Sequence, residues 1–254
     1  MIKYIAMKAQ QIISVKFTLG ILFLFFFNTP VKSQVWESIG PIGGDMFTCL
    51  HIDTANQILY VGTEEGFWYQ DLSSEEWTSR VEVGWIGRSV KSINSYPVFP
   101  GRIITGRVNA WFKGYLELSY DWGVTNEIAF FSDGGFISDI KYSPSNPNIF
   151  YACGRSDITP GDILKSNDGG QNWSQLSNYI QVHMTSMTIS PTSSNILYVS
   201  GDARITKTDD GGITWSSASN GLPISLGVYS VAMNRGDEQS LICSNDNGLY
   251  RTID

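Results

Sequence analysis

Ser166-Asn-Asp-Gly-Gly-Gln-Asn-Trp173 and Thr208-Asp-Asp-Gly-Gly-Ile-Thr-Trp215 share one pattern, S/T-x-D-x-G-x-x-W. Each residue type in it has a reason to stand in a tight hairpin. The carboxylates of Asp168 and Asp210 and the hydroxyls of Ser166 and Thr208 can bond the turn's own backbone. Gly170 and Gly212 supply positive φ without a Cβ clash. Trp173 and Trp215 offer large rings that pack on a sheet and pin the strand that follows. Ser119-Tyr-Asp-Trp-Gly-Val-Thr-Asn126 keeps Ser119, Asp121 and Gly123 but ends on Asn126, and Asp71-Leu-Ser-Ser-Glu-Glu-Trp77 is a degenerate form. These aspartates read as turn formers, not as catalytic acids or calcium ligands.

Upstream of each pattern lies a second repeat. Ser143-Pro144, Asn148-Ile149, Tyr151 and Gly154 recur 47 positions later as Ser190-Pro191, Asn195-Ile196, Tyr198 and Gly201. A third copy runs from Asp53 to Gly62, and fainter ones end at Gly106 and Ser244. Each unit reads as an alternating strand, a Pro/Asn/Ser turn, an aromatic-rich strand ending in Gly, a third strand, the hairpin, and a fourth strand led by Trp. Four short strands per roughly 42–49 residues are the signature of a β-propeller blade. No helical period survives past residue 33. The fold class is therefore all-β: a propeller of four-stranded antiparallel blades, about four to five of them, over 34–254. The blades divide as approximately 41–83, 84–132, 133–180, 181–225 and 226–254.

At these residues the chain resembles the Asp-box (BNR) propellers, a superfamily of sialidases, xyloglucan-active glycoside hydrolases, the sortilin luminal domain and YVTN/WD40-like secreted proteins. Trp36-Glu-Ser-Ile-Gly-Pro-Ile-Gly-Gly44 and Tyr60-Val-Gly-Thr63 look most like the xyloglucanase and sortilin branch. The resemblance implies that the hairpins lie away from the ligand face and are folding elements. It also implies that ligands meet the loops between second and third strands and between blades. Those loops carry the carboxylates Glu64, Glu65, Asp157 and Asp202 as catalytic candidates. They carry Trp85, Arg107, Trp111, Arg155, His183 and Arg204 as binding candidates. Aromatic rings beside acids and arginines suit a carbohydrate or an extracellular peptide or protein. The sialidase Arg-Ile-Pro is missing, and Thr63-Glu-Glu-Gly66 stands where xyloglucanases carry Thr-Asp-Ile-Gly-Gly. The expected role is thus a non-catalytic binding or scaffold module; a glycoside hydrolase of either type is the alternative.

The N-terminus bears on location. Lys8 and Lys16 precede the apolar run Phe17–Phe27, and a polar stretch ends in Ser33. That is the layout of a secretory signal peptide over 1–33, cleaved near Ser33-Gln34. The run is too short to span a bilayer, which takes about 20 residues. The protein is expected to be secreted, with no stable membrane span after cleavage. Removing 1–33 takes four lysines and no acid from 17 basic and 24 acidic residues, leaving a net charge of −11. So acidic a chain repels phosphate backbones, and no nucleic-acid partner is expected.

Cys49, Cys153 and Cys243 form neither a disulfide framework nor a metal-ligand spacing, and are read as small buried hydrophobes. No metal or cofactor is expected. Trp36 aligns with Trp77, Trp173 and Trp215, so 35–40 reads as a fourth strand, and Thr252-Ile-Asp254 reads as the start of another hairpin. Two arrangements stay open: 35–40 completes the last blade of a closed ring, or the chain is part of a larger propeller. The orphan half-hairpin favours the second.

Overall fold

The computed structural model describes residues 40–41, 46–74, 76–81, 89–111, 113–132, 135–155, 163–176, 183–202, 204–223 and 227–252. Every regular element among them is a strand. The first sheet holds β1 (Phe47–Asp53), β2 (Ile58–Thr63), β3 (Gly66–Asp71) and β4 (Trp77–Val81). The second holds β5 (Ser89–Ser95), β6 (Ile103–Val108), β7 (Gly114–Ser119) and β8 (Glu127–Ser132). The third holds β9 (Phe136–Ser143), β10 (Asn146–Arg155), β11 (Ile163–Ser166) and β12 (Ser174–Gln175). The fourth holds β13 (Met184–Ile189), β14 (Leu197–Gly201), β15 (Arg204–Thr208) and β16 (Ser216–Ser217). The fifth has three strands, β17 (Val228–Asn234), β18 (Asp237–Asn245) and β19 (Gly248–Arg251). Within each sheet the strands lie in sequence order and pair antiparallel. This is the expected propeller-blade architecture.

The hairpins explain how the sequence fixes each sheet. The Ser166 hydroxyl accepts from Gly170 N at 2.8 Å and donates to Asp168 Oδ1 at 2.7 Å. Asp168 in turn accepts from the amides of Gln171 and Asn172, each at 3.0 Å. Thr208 and Asp210 make the same bonds to Gly212, Ile213 and Thr214. Ser119 and Asp121 repeat them toward Gly123 and Thr125. Donors from Thr214 and Thr208 hold the Asp210 carboxyl well below the usual carboxylate range. Trp173 and Trp215 stand just before the fourth strands of the third and fourth sheets, and Trp173 Nε1 donates back to Gly170 O at 2.9 Å.

Consecutive sheets stack through β1, β5, β9, β13 and β17, the innermost strands. Side chains stitch these strands to one another. Thr48 Oγ1 donates to Val90 O, Asn94 Nδ2 to Ile140 O at 2.8 Å, and Thr185 Oγ1 to Val228 O at 2.6 Å. Asp139 Oδ2 accepts from Met187 N at 2.9 Å. Between the sheets lie four apolar cores. Tyr60, Phe67 and Ile93 belong to the first, and Ile104, Leu116 and Phe150 to the second. Tyr151, Met187 and Leu197 belong to the third, and Tyr198, Val231 and Leu241 to the fourth. Full burial of such a side chain stabilises by about 1.5–3 kcal/mol, so these cores hold neighbouring sheets together. Cys153 and Cys243 are buried as expected, while Cys49 is only half-buried.

An indole closes each of the first three interfaces. Trp173 packs on the second core and Trp215 on the third. The hairpin that lacks a tryptophan at 126 uses Trp122 instead. Trp122 takes the place of Gly169 and Gly211, with φ of 63° where they have 74°, and stacks on Tyr69 at 5.5 Å. A bulky residue in that left-handed region carries strain of about 1–3 kcal/mol, which the contact with the first sheet offsets.

Candidate functional site

Strand register separates two ends of the stack. Asp53 pairs with Ile58, Ile58 with Asp71, and Gln70 with Trp77, so the first turns and the hairpins share one end. The turns between second and third strands lie at the other end, where ligand loops were expected.

At that loop end the structure brings four of the expected residues together. Arg155, the last residue of β10, bridges to His183. His183 N donates to Asp202 Oδ2 at 3.0 Å, and Arg204 opens the strand after Asp202. Asp202 itself has φ of 21°, a turn conformation its bond to His183 helps to hold. Glu64 belongs to a different place: its Oε1 lies 3.1 Å from Lys91 Nζ, beside Ser89 in the second sheet. Glu65 sits in the same exposed turn, with its amide bonded to Thr63 Oγ1 at 3.2 Å. Trp111 is exposed, its amide bonded to Asn109 Oδ1. Asp157 and Trp85 fall outside the described residues.

One expectation is corrected. Arg107 is not a loop residue offered to a ligand; it lies inside β6, 1% exposed, and its Nε is 2.8 Å from Glu117 Oε2 in β7. Glu117 is 3% exposed, so the two form a buried ion pair within the second sheet. A charge this deep needs its partner, and the partner comes from the adjacent strand.

A cavity of about 340 Å³ opens at the hairpin end, which the sequence reading did not select. The final residues of all five innermost strands line it, among them His51, Asn94, Lys141, Thr188 and Met233, with Arg235 just beyond. His51 Nε2 accepts from Ser95 N at 3.2 Å and lies 2.9 Å from Ser95 Oγ. Burial, with the Lys141 charge adding to it, pushes the His51 imidazole down to about 4 and keeps it neutral. Asp53 is consumed by its own turn, accepting from the amides of Ala55 and Asn56. Lys141 Nζ lies 2.8 Å from Asp139 Oδ1. Asn94 Oδ1 is buried without a hydrogen-bond partner among the described residues. The cavity can hold a small polar ligand, with Lys141 and Arg235 as cations in an otherwise acidic chain.

Among the described residues no cluster of three or more His, Cys, Asp and Glu side chains could hold a metal ion. No helix long and apolar enough to cross a membrane occurs among them.

No protein-family profile matches the chain, and no curated protein does. Solved structures do match. An ancestral GH74 enzyme superposes with a TM-score of 0.67 at 16% identity, over 84% of this chain and 29% of that one. The GH74 enzyme of Niastella koreensis gives 0.64 at 15%, over 80% and 35%. The Cps50 (Swd1) β-propeller domain of Myceliophteria thermophila gives 0.53 at 11%, over 79% and 62%. These likenesses show a β-propeller fold. The chain spans about a third of the length of the two GH74 enzymes.

Proposed function

We propose that this chain is an exported Asp-box propeller module that binds carbohydrate without cleaving it. The observation that carries the reading is the cluster of Arg155, His183, Asp202 and Arg204 at the loop end. The guanidinium groups of Arg155 and Arg204, both exposed residues, can bond sugar hydroxyls, and the Asp202 carboxylate holds the His183 backbone in place. The structural neighbours' titles name GH74 enzymes, whose fold the chain shares over most of its length. Export rests on the leader-like sequence of residues 1–33.

The test is a glycan array on the folded protein, followed by calorimetry with the strongest hit. Arg155→Ala and Arg204→Ala should each weaken binding by about tenfold, the loss of one charge-assisted hydrogen bond. Unchanged affinity in both variants removes the site. The second reading is a glycoside hydrolase, which the GH74 likeness favours. It requires two carboxylates about 5–9.5 Å apart across a glycosidic bond. Glu64 and Asp202 stand in the first and fourth sheets and engage different partners. Release of reducing sugar from the bound glycan, abolished by Glu64→Gln or Asp202→Asn, would establish it.

A further inference from the structure

The innermost strands repeat one another, and three residues break the repeat at one place. Register equates His51, Ile93, Ile140, Met187 and Val231, which pair with Tyr60, Thr105, Ala152, Val199 and Cys243. The last four of that row are buried and apolar, and His51 is its polar exception. The next row, Ile52, Asn94, Lys141, Thr188 and Ala232, is neutral except for Lys141. Ser95, Tyr142, Ile189 and Met233 pair with Ile103, Phe150, Leu197 and Leu241. Two residues beyond the first three stand Pro97, Pro144 and Pro191, whereas Arg235 stands two beyond Met233. All three departures introduce nitrogen donors, and all three line the hairpin-end cavity of about 340 Å³.

Each of these donors has capacity to spare. His51 Nε2 accepts from Ser95 N, so the proton of the neutral imidazole sits on Nδ1. That Nδ1–H has no hydrogen-bond partner among the described residues. Lys141 commits one of its three ammonium donors to Asp139, and Arg235 is exposed. The neighbouring carboxylates are already engaged. Asp53 accepts from Ala55 and Asn56, Asp139 from the amides of Ile140 and Met187, and Glu238 from the hydroxyls of Ser190 and Thr192. One acceptor in the cavity wall is unmet. Asn94, 3% exposed, gives Nδ2 to Ile140 O and leaves Oδ1 without a donor among the described residues. Buried acceptors are nearly always paired, so this one calls for a donor from outside the chain.

We propose that the hairpin-end cavity is a binding site for a small hydroxylated carboxylate. The ligand's carboxylate is held by the Arg235 guanidinium, the Lys141 ammonium and His51 Nδ1–H, and its hydroxyl donates to Asn94 Oδ1. Charge-assisted bonds to a carboxylate are the strong ones, and a guanidinium can fork one with two donors. A simple inorganic anion would answer the cations but leave Asn94 unmet. The volume lies near the lower end of small-molecule sites, about 300–1,000 Å³, which suits a single sugar acid. This site lies at the opposite end from the loop-end cluster and does not depend on what that cluster binds.

The chain has two histidines, His51 in this cavity and His183 at the loop end, so their ring resonances report which end is occupied. The probe is sodium D-glucuronate, titrated into the folded protein and followed by the imidazole proton resonances, which His51→Gln assigns. A saturable shift of the His51 resonances is the expected result. D-Glucose lacks the carboxylate and acetate lacks the hydroxyl, so each should bind at least about tenfold more weakly. Arg235→Gln and Lys141→Gln should each weaken glucuronate by about tenfold, the loss of one charge-assisted bond. Arg235 is exposed, so its variant keeps the fold. The assignment is overturned by the absence of a saturable His51 shift or by a shift of His183 alone. Equal binding of glucose or acetate, or full affinity in both glutamine variants, overturns it as well.

Discussion

Replacing Arg107 with Met should destabilise the protein strongly without touching any ligand. Arg107 Nε lies 2.8 Å from Glu117 Oε2 with both side chains almost fully buried, and 3.2 Å from Thr105 Oγ1. Arg107→Met removes the guanidinium that faces the buried Glu117 carboxylate. Breaking a buried pair from one side costs about 3–5 kcal/mol, because the remaining charge stays desolvated. Each kcal/mol moves the midpoint of a domain this size by about 2–4 °C, so Tm should fall by roughly 6–20 °C. Removing both charges is a different perturbation: Arg107→Met with Glu117→Leu should recover most of the loss, since apolar replacements of similar volume are often neutral or better. Thermal unfolding followed by far-ultraviolet circular dichroism, repeated in urea, measures both. A single variant within about 2 °C of the parent, or a double variant worse than the single, refutes the reasoning.

The His51 imidazole is held down to about 4 against an ordinary 6.5. Its stabilising effect is therefore fully present above pH 6.5 and is lost progressively toward pH 4, by up to about 3 kcal/mol. Urea unfolding across that range should show the slope, and His51→Gln should flatten it. Gly170→Ala places a Cβ 2.2 Å from Ile104 Cδ1 at a φ of +90°. It should cost about 2–4 kcal/mol from strain and overpacking together. Gly221→Ala, at a φ of +81° with nothing within 4 Å, should cost only about 1 kcal/mol, which paired urea melts will separate. Burial raises the Cys153 thiol well above its ordinary value and Cys49 to about 11, so Cys153 should label only on unfolding and both should resist alkylation at neutral pH.

The hairpins were readable because their bonds are local. Ser166, Asp168 and Gly170 satisfy one another within five residues, and residue type alone specifies that geometry. The repeat spacing then placed strands and sheets, since each sheet pairs only neighbours in sequence. Arg107 was misjudged because arginine is usually exposed and its partner is defined by β6–β7 register, which spacing does not give. Trp122 was passed over because the pattern looks for an indole at 126, whereas a left-handed residue three positions into the turn reaches the same interface. The cavity at the hairpin end escaped for a topological reason. Its lining comes from five strand ends, with one stretch such as His51–Asp53 or Lys141–Tyr142 from each, unremarkable singly and adjacent only once the sheets stack.

The glycines show why one motif can specify both a turn and an assembly. Gly170 and Gly212 adopt positive φ, which the turn demands, yet a Cβ there would also strike Ile104 or Leu176 of the preceding sheet. The same residue type is thus required twice, once by its own hairpin and once by its neighbour. The aspartate follows the same logic from the other side. By binding the amides at 171–172 or 213–214 it fixes the chain that leads to Trp173 or Trp215, and so aims the ring between sheets. A loss of the aspartate acts at a distance of half a blade, and a loss of the glycine acts on the blade before. Stacking order is therefore written in short sequences that serve both their own turn and the neighbouring sheet, which is how a chain of 11–16% identity to its structural neighbours can keep their architecture.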